Sequence, residues 1–249
     1  MSRASRLSAA FRNRAWPRSA ATLAAAAIAA AAVSACGSST NDAAVIQVAG
    51  NPISKAAMEH WMRVESVLTY RVIPKEPPPK GLLPDPPGYS ACIAWLGSSK
   101  APLTDRQTKS TPAQLKSRCE QRLAELKKKA LTFLITYQWL IGEAKDLGLI
   151  VSDAEVEKAV RRFQRSETPG SGEFQRYLSY AGMSVADAQY IQRLTVAGTK
   201  VQNGILAKRA GQARQALAAF NGKWIAKTSC KAGYVVPGCK QYKGSEPPP

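Results

Sequence analysis

The reactive side chains of this sequence are few: five cysteines (Cys36, Cys92, Cys119, Cys230 and Cys239) and a single histidine, His60. Cys36 closes the tetrad Val33-Ser34-Ala35-Cys36, where small residues open the preceding bond to a peptidase and the thiol is placed to carry a lipid. The stretch before it suits that chemistry. Residues 3 to 18 hold five arginines (Arg3, Arg6, Arg12, Arg14 and Arg18) and no acid, and residues 20 to 33 are almost entirely small and apolar. A basic segment, a short apolar segment and small residues at a cleavage point make a secretory signal. The apolar run falls short of the ~20 residues that cross a bilayer. Residues 1–35 therefore read as a lipoprotein signal peptide and Cys36 as the lipidation site, with an ordinary cleaved signal as the competing reading. More than one acyl chain on Cys36 gives stable anchoring at the extracytoplasmic face of the cell membrane. Residues 36–43 then form a polar, flexible tether.

The other four cysteines make an even set, which in an exported chain points to two disulfides with three possible connectivities. Proximity in sequence favours Cys92 with Cys119 and Cys230 with Cys239. A metal site finds little support: there is no C-x-x-C, and His60 is far from all four in sequence. No cofactor is expected. There is no Ser/His/Asp constellation, no G-x-S-x-G and no phosphate loop, so hydrolase chemistry has no footing either.

The chain carries 35 basic and 17 acidic residues, a net charge of +18. Removal of the signal leaves 30 against 17, or +13. Such a balance often accompanies nucleic-acid binding, but an exported chain meets other anions: lipid head groups, anionic wall polymers and acidic polypeptides. The densest basic run, Leu126 to Ala130, reads as a solvated helix face.

The elements that position these residues follow from periodicity. Val45 to Gly50 reads as a strand, Asn51-Pro52 as a turn and Ser54 as the start of a helix. Ala57, Trp61, Val64, Leu68 and Val72 then form a helical stripe. Residues 74–112 are too rich in proline for regular structure and form an insert. A long helix follows, with Pro112 in its first turn, an apolar stripe from Leu115 to Leu147 and Gly148 as its C-terminal cap. Within it, residues 130–141 are apolar nearly all round, as in a helix buried on several sides; exposure of part of this face for binding is the sharper alternative. Capping boxes at Ser152–Glu155 and Ser184–Asp187 open two further helices. A short helix ends near Gly182, and the last helix runs from Val185 to about Phe220, weakened by three glycines. Asn221-Gly222 signals a turn, and Lys223 to Ser229 reads as a strand that pairs with Val45–Gly50, with Ile46 and Trp224 inward.

This order resembles the SurA/PrsA-type exported foldases. The resemblance begins at Val48, Gly50, Ile53 and Ser54, strengthens across residues 140–160 and continues over residues 173–194. It covers residues 45–73 and roughly 115–228. It implies a mainly α fold, a SurA N-terminal-like helical domain over residues 44–240 with long helices and a small two-stranded ladder of N- and C-terminal strands, followed by a disordered tail over 241–249. Enzymatic members of that family carry a parvulin domain with a histidine pair. This chain has one histidine and no room for such a domain between Leu194 and Trp224, so no prolyl isomerase activity is expected.

The resemblance further implies a holdase-like chaperone that binds unfolded exported polypeptides in an apolar cradle, with Trp61, Phe133, Tyr137 and Trp139 as candidate lining residues. The competing expectations are a structural or wall-polymer-binding lipoprotein, and an accessory to a peptidyl-prolyl isomerase supplied by a partner.

Overall fold

The computed structural model describes residues 43–68, 77–98, 101, 110–168, 170, 172–208 and 212–248. The signal, Cys36 and residues 36–42 of the tether lie outside the described residues. Strand β1 (Ala44–Val48) buries Val45, Ile46 and Val48 and turns Gln47 to solvent. It ends in a two-residue turn at Ala49 and Gly50, both at positive φ (49° and 83°). Such a turn matches the twist of a tight hairpin, and β2 (Asn51–Ser54) folds back with Val48 opposite Asn51. The expected turn at Asn51-Pro52 is thus displaced by two residues, and the pair is strand. Proline is tolerated there because β2 is an edge strand in a sheet of order β2-β1-β3.

The C-terminal partner is β3 (Thr228–Cys230), antiparallel to β1 with Ile46 opposite Cys230 and Val48 opposite Thr228. The pairing of N- and C-terminal strands is as expected, but the ladder has three strands, and Lys223–Ala226 is helix rather than strand.

Helix α1 (Lys55–Leu68) starts at Ser54, whose hydroxyl accepts from the Ala57 amide at 3.1 Å. It lays Met58, Trp61, Met62 and Val64 against α3 (Pro112–Asp146). The 35 residues of α3 span about 52 Å at 1.5 Å per residue. Thr111 and Gln114 form a capping box at its start, and Gly148, at φ 68°, closes its end. Leu131, Leu134, Ile135 and Trp139 are buried, so the apolar stretch 130–141 is mainly core. Helices α4 (Asp153–Glu167), α5 (Glu173–Ala181) and α6 (Val185–Lys208) follow. Both capping boxes form: Ser152 with Glu155, and Ser184 with Asp187. In place of one last helix there are two, α6 and α7 (Ala213–Ala226).

The insert is more regular than its proline content suggests. Its dense run of prolines ends at Pro87, and α2 (Ser90–Leu96) forms directly beyond. Asp85 starts this helix, accepting from the Ala91 and Cys92 amides and the Ser90 hydroxyl at 3.0–3.2 Å. Those hydrogen bonds, the one from Ala91 foremost, hold its carboxyl below the usual range. Gly81, at φ 92°, lies so close to α2 that a Cβ there would meet the Cys92 amide nitrogen at 2.9 Å and the Ala91 carbonyl closer still. Leu82, Tyr89, Trp95 and Leu96 form a second small core with Leu115. The Cys92–Cys119 disulfide and the Arg122 guanidinium, which donates to the Leu82 carbonyl at 3.1 Å and lies over Trp95, fasten this core to α3.

The second disulfide is Cys230–Cys239. It folds the C-terminal segment back on β3, where Gln241 donates to Ser229 and Cys230. Glu246 pairs with Lys128. In the segment expected to be a disordered tail, Gln241 and Glu246 are therefore seated on the domain, because their polar groups find partners on β3 and α3. The basic run on α3 changes meaning for the same reason. Lys127 donates to the Gly233 carbonyl at 2.7 Å and covers the Tyr234 ring, Lys128 meets Glu246, and Lys129 meets Glu65 at 3.1 Å.

Candidate functional site

Three helices meet near the end of α3. The α6 stripe of Gly198, Val201 and Ile205 faces Leu140 of α3, and α7 adds Leu217 and Phe220. Small residues allow the close approach: a Cβ at Gly198 would sit 3.4 Å from Leu140 Cδ1. Between the helices lies an apolar cleft of about 290 Å³. A second cleft of about 220 Å³, lined by Glu143, Leu147, Ala216 and Lys223, shares Ile205 and Phe220 with the first. Leu217 is 58% exposed, an unusual position for so large an apolar side chain.

The wall beneath the cleft is held by a buried polar chain. Trp139 Nε1 donates to Thr228 Oγ1 at 2.8 Å, and Thr228 Oγ1 donates in turn to the Trp224 carbonyl at 2.8 Å. Trp224 Nε1 donates to Glu143 Oε2 at 2.7 Å, and Lys223 Nζ reaches the same oxygen at 2.6 Å. Gly142 gives the Trp224 indole its seat. Lys223 also pairs with Asp146 at 2.9 Å, and the bond from Lys223 keeps the Asp146 carboxyl below its ordinary range. The network ties α7 to α3 beside the cleft.

Three of the four residues singled out from the sequence come together elsewhere. Trp61 and Phe133 have ring centroids 4.5 Å apart. Tyr137 joins them through Tyr190 of α6, which stacks on Tyr137 at 3.7 Å and lies 5.5 Å from Trp61. Burial, and then the neighbouring Tyr137, push the Tyr190 hydroxyl far above its usual titration range. This cluster joins α1, α3 and α6 as packing. Trp139 is 1% exposed and engaged with Thr228, so it lines no groove. Its ring centroid lies 6.0 Å from that of Phe220 in an edge-on arrangement, so it backs that side chain.

Sequence reasoning did not point to Val201, Ile205, Leu217 or Phe220. Their spacings of four and three are the signature of any buried helical stripe; exposure at Leu217 is decided by where α7 departs from α6.

His60 makes no catalytic constellation. Its Nε2 lies 3.0 Å from Asp187 Oδ1 and ties α1 to the first turn of α6. Burial alone would raise the Asp187 carboxyl; the Ser184 hydrogen bonds and His60 outweigh it and hold the carboxyl low. Among the described residues no group of three His, Cys, Asp or Glu side chains is arranged to hold a metal ion. Among them, too, no helix is long and apolar enough to cross a membrane. What this arrangement offers is a shaped apolar surface.

Residues 102–220, the segment that contains α3 to α6 and part of α7, match the family described as the SurA-like N-terminal domain. The chain carries a SurA-like N-terminal domain over these residues, and no parvulin domain is found. No curated protein and no solved structure matches the chain.

Proposed function

We propose that this protein is a membrane-anchored extracytoplasmic lipoprotein, lipidated at Cys36, that acts as a holdase for unfolded exported polypeptides without prolyl isomerase chemistry. The observation that carries the reading is the open apolar cleft with Leu217 at its rim, in a domain of a chaperone-related family. Apolar burial is non-directional and tolerates many sequences. Each client side chain seated there contributes roughly 1.5–3 kcal/mol before the cost of association. Binding is therefore weak and readily reversed, as a holdase requires. The basic run on α3 does not favour the wall-polymer alternative, since Lys127, Lys128 and Lys129 all have partners within the fold.

The test is suppression of light scattering from a denatured, aggregating protein by the full chain with its disulfides intact. Suppression at equimolar amounts that survives moderate salt and is lost in Leu217→Asp supports the cleft. An absence of suppression at several-fold excess overturns the reading. So does full activity in Leu217→Asp, for the site.

A further inference from the structure

A second groove runs along a different face of α6. It lies between α4 and α6 and encloses about 500 Å³. Half-buried Ala159, Phe163 and Val196 form its floor, and exposed Lys158 and Arg162 stand on its α4 rim. The two cations differ from their neighbours. Arg161 pairs with Glu157 and Lys200 with Glu155, yet among the described residues neither Lys158 nor Arg162 has an ion-pair partner. Of the 15 residues of α4, Val156 alone is buried, so this helix commits little of its surface to the core.

We propose that the α4–α6 groove binds extended polypeptide in which acidic residues alternate with apolar ones, independently of the α3–α6–α7 cleft. Lys158 and Arg162 are one helical turn apart, about 6 Å along the axis. Alternate residues of an extended chain are spaced about 6.6 Å. Carboxylates on one side of such a chain meet the two cations, and the intervening side chains face the floor. A phosphate-rich polymer or lipid head group fits less well, because it offers nothing apolar to Ala159, Phe163 and Val196. Glu155 in the groove lining is already paired with Lys200.

The probe is a fluorescein-labelled peptide of alternating glutamate and phenylalanine, titrated with the full chain and followed by anisotropy. Companion peptides carry glutamine for glutamate, or serine for phenylalanine. The expected result is saturable binding to the first peptide that weakens roughly fivefold or more with the double variant Lys158→Gln/Arg162→Gln. Both companions bind more weakly, and Leu217→Asp leaves binding unchanged. Equal binding by the double variant overturns the assignment. Loss of binding in Leu217→Asp overturns it too, since the peptide then sits in the other cleft. Equal binding of the serine peptide, or capture of phosphatidylglycerol vesicles that depends on Lys158 and Arg162 where the peptide does not, replaces the polypeptide with a polyanion or lipid surface.

Discussion

Replacing Gly142 with alanine tests whether α7 is seated on α3 as described. A Cβ at position 142 would meet Trp224 Cζ2 and Cζ3 at 2.9 Å and Cη2 closer still. Carbon atoms prefer about 3.5–4.0 Å, so the indole must withdraw by more than half an ångström. It has little freedom to do so: Trp224 is buried, and its Nε1 is bonded to the buried Glu143 carboxylate. Overpacking of this kind costs roughly 1–3 kcal/mol. A disturbed bond to a buried carboxylate adds about 1–3 kcal/mol, while the better helix propensity of alanine returns about 1 kcal/mol. The net expectation for Gly142→Ala is a loss of roughly 1–5 kcal/mol. Gly222→Ala on α7 is the internal control, because nothing lies within 4 Å of its Cβ position; it should gain about 0.5–1 kcal/mol from propensity alone. Denaturant midpoints read by tryptophan fluorescence, disulfides intact, give both numbers. A Gly142→Ala chain as stable as the parent, or stabilised like Gly222→Ala, would show that the indole does not pack on α3.

Three further outcomes follow from the same structure. Thr228→Val leaves Trp139 Nε1 buried without its acceptor and should cost about 1–3 kcal/mol in the same assay, whereas an unchanged midpoint would remove the Trp139–Thr228 bond from the description. The Glu155 carboxyl is lowered from 4.5 to about 2, first by Lys200 and then by Ser152; its support of α4 is present above pH 4.5 and is lost as pH falls towards 2. NMR titration of that carboxyl in the parent and in Lys200→Met should show the midpoint rising in the variant, and an unmoved midpoint argues against the ion pair. Opening the Cys92–Cys119 link, which closes a separation of 27 residues, with the double alanine variant should cost about 3 kcal/mol. It should also speed amide exchange in α2 well before it affects α3; equal protection in both chains would mean that α2 is held by packing alone.

Much of this architecture was legible in the sequence because it rests on local rules. The capping boxes at Ser152 and Ser184 need only a hydroxyl and an acid three residues apart, and both form. The α3 stripe and the two disulfides also follow from spacing. The opposition of β1 and β3 was legible because a short strand near each end of a helical chain needs a ladder partner; the second partner of β1, β2, was not. What failed was local inference where distant residues decide. Asn221-Gly222 signals a turn, but the seat of Trp224 on Gly142 and Glu143 keeps α7 helical through Ala226. Pro52 argues against strand, yet an edge position makes its missing N–H harmless.

The candidate site divides in the same way. The sequence alone determined that the chain offers apolar and aromatic helical faces, four cysteines besides Cys36 and a single histidine. The tetrad that ends at Cys36, read from the sequence as a lipidation motif, lies outside the described residues. Only the tertiary structure decided which faces are spent on the core and which remain open. Trp61 and Trp139 are buried and half-buried Phe133 and Tyr137 pack beside Tyr190, while Leu217 and Phe220 border a cleft and, among the described residues, Lys158 and Arg162 have no ion-pair partner above an apolar floor. The physical reason is that a helical stripe has the same periodicity whether or not it is covered, and coverage depends on contacts many residues away, such as those between α3 and α7.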